Sequence, residues 1–278
     1  MTVAEPQSLP PLDAAHHVPA SEVERFQSDG HALLRGVATT GEVAAYRPVI
    51  EDAAMRHVRE TRPLEERDTY GKAFLQIPNL WRRDDSVRRF TLARRFGQVA
   101  ADLLGVDGVR LYHDQALFKE PAGGRTPWHQ DQFYWPLDTD RTITMWMPLV
   151  DVPPEVGSMT FVSGSHREGY LGDFGISDAS DDTFAAMIEE RGLRVESHGP
   201  LAAGDATFHA GWTLHCAPAN PTANMRPVMT VIYVADGARA AEPRSPFQEF
   251  DLKMWLPGLA PGDLVDTEKN PLVWSRRP

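Results

Sequence analysis

The stretch VRLYHDQAL, residues 109–117, carries the pattern that decides the fold. Its residues fall into two alternating sets, and a period of two is typical of a half-buried β-strand. The set expected to face inward is Leu111, His113, Gln115 and Leu117. Further strand candidates, separated by turns rich in Pro and Gly, are residues 142–149, 158–162, 206–209 and 228–234. Many short strands joined by such turns predict a β-sandwich or barrel.

The chain before this strand has helical character instead. Ser21 and Glu24 have the spacing of a capping box, which predicts a first short helix that ends at Gly30. A second helix is expected after Thr39 and a third over residues 86–104, because apolar residues recur there along one helical stripe. The sequence therefore predicts a mainly β protein with flanking helices and a helix-rich N-terminal third.

Length and composition favour one folded unit. A chain of 278 residues with 42% hydrophobic and 24% charged residues can bury a sizeable core. Residues 1–18 contain three Pro residues, and we expect them to form a flexible tail before a single domain of residues 19–278. The acidic segment 173–191 predicts a surface insertion that contains a helix.

Charge and cysteine content narrow the class of partner. The net charge of -11 argues against binding to duplex nucleic acid, which relies on clustered Lys and Arg. No run approaches 18 apolar residues, so no membrane span is expected. A single cysteine, Cys216, suits a reducing cytoplasm. We therefore expect a cytoplasmic protein whose partner is a small molecule, whereas the sequence does not indicate an oligomeric state.

The stretch WHQDQFYW, residues 128–135, carries the candidate metal ligands. His129 and Asp131 stand two residues apart, so at the end of a strand both side chains can turn toward one face. A downstream histidine, either His209 or His215, would complete a facial triad of two histidines and one carboxylate, which is typical of non-haem Fe(II) oxygenases. Arg226 shares strand parity with inward residues and could pair with a carboxylate of a co-substrate.

The sequence resembles the phytanoyl-CoA dioxygenase-like family of Fe(II)- and 2-oxoglutarate-dependent oxygenases. The resemblance spans residues 20–236 and rests on four marks in the expected order: His129-Gln130-Asp131, Trp146-Met147-Pro148-Leu149, Gly157 with Gly164-Ser165-His166, and residues 215–226. It implies a double-stranded β-helix, which is a cupin-like jelly roll. It also implies that O2 and 2-oxoglutarate are consumed at Fe(II), with release of succinate and CO2.

The resemblance also assigns residues. The family's distal ligand precedes a small-x-Pro-Asn turn and lies 11 residues before the arginine, which favours His215 over His209. The iron ligands are then His129, Asp131 and His215. The co-substrate contacts are expected to be Arg226, Gln115, Thr144 and Trp146.

The reaction is expected to be hydroxylation of an unactivated C–H bond in a small metabolite of a biosynthetic pathway. Related halogenases carry a small residue in place of Asp131, so the aspartate favours delivery of oxygen over chloride. Desaturation, cyclisation and epimerisation use the same ligands and stay open, as does a cupin-like metalloenzyme that is not an oxygenase. Candidates for the substrate side are Phe74, Gln76, Asn79, Trp81, Trp255 and Trp274.

Overall fold

The computed structural model describes residues 9–153, 156 and 158–277, and the statements below concern these residues. The helices flank the strands, and the first five precede the central strands in the chain. Their bounds are α1 Ala20–Asp29, α2 Thr40–His57, α3 Thr69–Ala73, α4 Asp85–Thr91, α5 Arg94–Leu104, α6 Asp178–Arg191 and α7 Pro246–Trp255. No helix in these ranges is long and apolar enough to cross a membrane.

The strands are β1 His31–Leu34, β2 Leu75–Pro78, β3 Gly108–Lys119, β4 Thr126–His129, β5 Thr142–Pro148, β6 Thr160–Val162, β7 Val195–Ser197, β8 Ala206–Ala210, β9 His215–Ala217, β10 Arg226–Ala235 and β11 Leu272–Ser275. Within the described ranges they form two antiparallel sheets. The large sheet has the order β1-β8-β5-β10-β3-β11, with β2 also paired to β3, and the small sheet has the order β4-β9-β6-β7. The predicted class, mainly β with flanking helices, is confirmed.

Both faces of the large sheet are buried, so its strands do not show the expected half-buried pattern. Strand β10 is buried at nearly every position, because α2, α4 and α5 pack on one face and a cavity lies on the other. Tyr46, Phe90, Phe96, Met145 and Val231 belong to the same core cluster on the helical side. Burial of this kind stabilises the fold in proportion to the apolar area removed from water.

A β-bulge corrects the predicted parity of strand β3. The pairing with β10 runs from His113 opposite Ile232 directly to Leu111 opposite Tyr233, which leaves Tyr112 as the extra residue. After the bulge, His113, Gln115 and Leu117 line the cavity as expected. Before it, Leu111 joins the helical core instead of facing inward.

The helix starts and ends agree only in part with the predictions. Thr39 and Glu42 form a capping box at α2, whereas α1 begins at Ala20 after Pro19, with no side-chain cap from Ser21. The single helix expected over residues 86–104 is two helices, α4 and α5, separated at Leu92 and Ala93.

The part of the expected flexible tail that the structure describes is packed against the protein. Leu12 is 3% exposed and its carbonyl accepts a hydrogen bond from the Arg95 backbone at 3.1 Å. The backbone N–H of His16 donates to the side chain of Gln98 at 2.9 Å. Residues 9–18 therefore contact α5, and the part of the tail before residue 9 lies outside the described residues.

Candidate active site

The three candidate metal ligands lie close together in the structure. His129 closes β4 and lies opposite His215 of β9 in the sheet register, so the two imidazoles are adjacent. Asp131 opens a short 3-10 helix, Asp131–Tyr134, and its Oδ1 lies 3.5 Å from His129 Nε2 and 3.7 Å from His215 Nε2. All three donor atoms lie within 4.8 Å of one another, a separation at which one metal ion can contact them all.

A hydrogen bond from Nδ1 orients the ring of each candidate histidine ligand, His129 and His215. His129 Nδ1 donates a hydrogen bond to the Pro127 carbonyl at 2.8 Å, and His215 Nδ1 donates to the Thr213 carbonyl at 2.9 Å. These bonds place the proton on Nδ1. Each Nε2 therefore has a free lone pair on the side of Asp131, where a metal ion would bind. The tautomers therefore suit two imidazole ligands.

His209, the rival for the third ligand, has a different place. Its Nε2 donates to Asp131 Oδ2 at 3.1 Å, and the Thr144 hydroxyl donates to the same oxygen at 2.9 Å. His209 and Thr144 are direct partners in the register of β8 and β5, so both reach the carboxylate from the large sheet. The pair holds Oδ2 and leaves Oδ1 toward His129 and His215. Sequence reasoning did not foresee this carboxylate clamp, although it had named Thr144 as a co-substrate contact and His209 as an alternative metal ligand.

Two buried glutamines fix the loop that carries Asp131. Gln130 donates to the carbonyls of Gly169 and Trp212, while Gln132 accepts from the Thr142 hydroxyl at 2.6 Å. The Gln132 backbone also donates to the Gly211 carbonyl at 2.9 Å. A Cβ on Gly211 would lie 2.5 Å from Gln132 Oε1, so this close approach requires glycine.

The acidic helix α6 supports the strand that carries His129. Asp181 accepts a hydrogen bond from the Trp128 backbone at 2.9 Å and forms an ion pair with Arg125, and Phe184 is buried beneath the helix. The segment expected to be a surface insertion therefore braces β4.

The electrostatics of the group suit a divalent cation. Burial opposes ionisation of Asp131, but the imidazoles of His215 and its neighbours outweigh it and hold the pKa of this carboxyl well below its usual range. Burial lowers the pKa of His215 well below its ordinary value, so this imidazole is neutral. A carboxylate and neutral imidazoles are the forms that bind Fe(II).

A cavity of about 740 Å³ opens from the ligand group toward α7. Arg226 lies at the start of β10, is 2% exposed, and has its guanidinium 5.0 Å from the centre of the Trp146 ring. Burial lowers the pKa of Arg226 to about 10, so the side chain stays charged at neutral pH. A cationic wall beside a metal-ligand group can hold a chelating dicarboxylate.

Residues 26–228 match the model of the family described as phytanoyl-CoA dioxygenase (PhyH). The chain belongs to the phytanoyl-CoA dioxygenase family. A probable alpha-ketoglutarate-dependent hypophosphite dioxygenase from Stutzerimonas stutzeri is 22% identical to this family member over 79% of each chain.

Two solved structures from nogalamycin biosynthesis are also similar. The alpha-ketoglutarate-dependent epimerase SnoN is 28% identical, with a TM-score of 0.73, and the match covers 91% of this chain and 98% of SnoN. The carbocyclase SnoK is 26% identical, with a TM-score of 0.75 and coverage of 92% and 96%. The protein is thus a 2-oxoglutarate-dependent non-haem iron dioxygenase with the jelly-roll fold, and its cofactors are Fe(II), 2-oxoglutarate and O2.

The four residues that the family resemblance predicted to contact 2-oxoglutarate all line the cavity. Gln115, Thr144, Trp146 and Arg226 lie on neighbouring strands of the large sheet, although Thr144 is engaged with Asp131. The Gln115 side chain accepts a hydrogen bond from Gln76, whose own side chain accepts one from Tyr70 at 2.7 Å.

The structure also shows which of the other residues named from the sequence line the cavity. His215 and Ala217 line the cavity, so Cys216 between them points away from it, as expected. Of the substrate-side candidates, Phe74, Gln76, Asn79 and Trp255 line the cavity, whereas Trp81 and Trp274 are not among its wall residues in the described chain. Gly157 lies outside the described residues.

Proposed function

We propose that His129, Asp131 and His215 hold Fe(II) and that Arg226 binds the distal carboxylate of 2-oxoglutarate. The observation that carries this assignment is the convergence of two oriented Nε2 atoms and Asp131 Oδ1 within 4.8 Å, in the same cavity as a buried arginine. A facial triad leaves three metal positions open for a chelating co-substrate and O2. The donor set therefore fits Fe(II).

Each surrounding group has a role in this assignment. Arg226 presents a planar pair of donors to a carboxylate, and Trp146 packs on the guanidinium. His209 and Thr144 both hydrogen-bond to Oδ2 and so fix Asp131 in one orientation. The loaded iron centre supplies oxidation of a C–H bond by O2, coupled to conversion of 2-oxoglutarate to succinate and CO2. We propose hydroxylation of a small metabolite as the outcome.

Epimerisation or carbocyclisation is the second candidate outcome. It is favoured by the similarity to SnoN and SnoK, which exceeds 25% identity over more than nine-tenths of this chain. SnoN has been crystallised with Fe3+, alpha ketoglutarate and nogalamycin RO. The triad is the same for each outcome, and the placement of the substrate C–H bonds decides among them.

The metal assignment is tested by anaerobic titration of the purified protein with Fe(II) and 2-oxoglutarate. We expect the weak visible charge-transfer band of the chelate, and loss of the band in His129→Ala and Asp131→Ala. His198→Ala is the matched control, because His198 contacts His31 and lies outside the cavity wall. A band that survives in Asp131→Ala, or no band in the wild type, would contradict the assignment.

The outcome is tested under air with a substrate panel and mass spectrometry. Hydroxylation adds one oxygen atom to the product, cyclisation or desaturation removes two hydrogen atoms, and epimerisation leaves the mass unchanged. Each of these requires succinate formation.

We further propose that residues 19–278 act as one domain in the cytoplasm, where a lone thiol such as Cys216 stays reduced.

A further inference from the structure

The cavity is much larger than a five-carbon diacid requires. Its inner end contains the metal-ligand group and Arg226, and the remainder extends toward α7. We call this remainder the outer chamber and define it by five wall residues: His113, Tyr134, Trp135, Asp251 and Trp255. A total of about 740 Å³ lies in the range of sites that enclose drug-sized ligands.

The walls of the outer chamber are aromatic rings. The His113 ring stacks on Trp255 with centroids 4.5 Å apart and an interplanar angle of 29°, and it meets Trp135 edge-on at 6.5 Å. Tyr134 contacts Phe247 of α7 edge-on at 5.5 Å. Rings fixed by their neighbours in this way form a rigid wall, and a flat aromatic ligand can pack against a rigid aromatic wall at little entropic cost.

The polar groups in these walls carry no charge at neutral pH. Burial lowers the pKa of His113 to about 4, so the ring is neutral and offers one donor and one acceptor. Its Nδ1 has no hydrogen-bond partner among the described residues. Burial raises the pKa of Asp251 to about 8, although a hydrogen bond from the Trp255 side chain acts in the opposite direction. This carboxyl is therefore mostly protonated at neutral pH and can donate a hydrogen bond.

The mouth of the chamber is apolar on the α7 side. Phe247, Phe250 and Met254 line the cavity and are also 49%, 58% and 38% exposed. Exposed apolar side chains grouped at a cavity mouth indicate a ligand that covers them. Among the charged wall residues, Arg59 and Arg83 are exposed to solvent, and Glu60 is paired with Arg62 at 2.6 Å.

We propose that the outer chamber binds the primary substrate, and that this substrate is a flat, uncharged, fused-ring aromatic compound bearing hydroxyl or carbonyl groups. The inference rests on the proposed function, because the chamber opens directly on the iron ligands. His113 and Asp251 hydrogen-bond the substrate oxygens, and the rings of Trp255 and Trp135 pack on its faces.

The test is a binding titration of the full-length protein with Fe(II) and 2-oxoglutarate under argon, followed by tryptophan fluorescence. The probe is 1,8-dihydroxyanthraquinone, compared with farnesol, which is neutral but acyclic, and with anthraquinone-2-sulfonate, which is flat but charged. We expect the dihydroxyanthraquinone to bind at least about tenfold more tightly than either comparison compound. Equal or tighter binding of farnesol or of the sulfonate would overturn the proposal.

Variants then locate the site. Trp255→Leu keeps an apolar wall but loses the stack, so dihydroxyanthraquinone binding should weaken about tenfold while farnesol binding is unchanged. Asp251→Asn keeps a neutral donor and should bind within a few-fold of the wild type, whereas Asp251→Leu should lose about tenfold. Met55→Ser, which changes an exposed residue of α2 outside the cavity, is the matched control.

The outcomes separate this proposal from the proposed function. Unchanged binding in both Trp255→Leu and Asp251→Leu would place the probe elsewhere and overturn the chamber assignment, even if 2-oxoglutarate is turned over. The expected ranking of probes and variants supports the chamber assignment even if no succinate forms, in which case the proposed chemistry alone fails.

Discussion

Replacing His209 by leucine tests the carboxylate clamp directly. The change removes the hydrogen bond from His209 Nε2 to Asp131 Oδ2, which spans 3.1 Å between two buried groups. A hydrogen bond to a charged acceptor contributes about 1.5–3 kcal/mol. Because about 1.4 kcal/mol corresponds to a factor of ten, Fe(II) binding should weaken about 10- to 100-fold. Thr144 still donates to the same oxygen, so we expect the lower half of this range.

The assay is anaerobic titration with Fe(II) in the presence of 2-oxoglutarate, read from the charge-transfer band. His209→Gln keeps an N–H donor at similar reach and should restore binding to within a few-fold of the wild type. His31→Gln is the matched control, because His31 pairs with His209 across β1 and β8 but contacts His198 and Ser163 instead of the carboxylate. Its iron affinity should be unchanged.

Two results would refute the clamp. If His209→Leu binds Fe(II) as tightly as the wild type, the hydrogen bond to Asp131 does not orient the ligand. If His209→Leu loses the band entirely while His215→Ala keeps it, His209 is the iron ligand and the assignment of His215 is wrong. Rescue by His209→Gln separates a lost hydrogen bond from a general loss of packing, which circular dichroism also monitors.

Three further changes probe the co-substrate site and the fold. Arg226→Lys keeps the charge but loses the planar donor pair, so the KM for 2-oxoglutarate in a succinate assay should rise about tenfold with little change in Fe(II) affinity. Burial raises the pKa of Asp114 from 3.8 to about 7, so the native state holds this proton more tightly than the unfolded state, and stability should fall as pH rises between about 4 and 7. Between these pH values the free energy of unfolding of the wild type, measured with urea, should fall by up to about 4 kcal/mol more than that of Asp114→Asn. An identical pH profile in the variant would contradict this prediction. Gly211→Ala places a Cβ 2.5 Å from Gln132 Oε1 and should destabilise the fold by about 1–3 kcal/mol in thermal unfolding, whereas Gly41→Ala, which meets nothing within 4 Å, should not.

Local patterns in the sequence predicted what depends on neighbours along the chain. The apolar stripe predicted after Thr39 placed one face of α2 in the core, where Val43, Tyr46 and Ile50 are buried. The inward set His113, Gln115 and Leu117 was correct, because alternation within one uninterrupted run of strand is a local property.

Features set by distant contacts were not predictable in this way. The apolar stripe continues through Leu92 and Ala93, with no Gly or Pro to indicate the break between α4 and α5. The bulge at Tyr112 depends on the pairing of β3 with β10, more than 100 residues later. Packing of Leu12 against α5 depends on apolar surface that the composition of the N-terminus does not reveal.

The candidate site shows the same division. The spacing of His129 and Asp131 is a local motif, and the choice of His215 rested on the family's turn. The role of His209 follows instead from its register with Thr144, which appears only once β8 and β5 are paired. The sequence alone therefore leaves His209 as an alternative metal ligand, whereas in the structure it donates a hydrogen bond to Asp131.

Asp131 joins the two sheets at the candidate iron site. Its Oδ1 faces histidines of the small sheet, while its Oδ2 is held by residues of the large sheet. Iron affinity should therefore depend on the spacing of the sheets, which side chains such as Phe161 set by packing against both His209 and His215. The outer chamber is bounded by β3 of the large sheet and by α7, and it opens on the same carboxylate. A substrate bound in the chamber would therefore lie in the same cavity as the carboxylate that residues of both sheets contact.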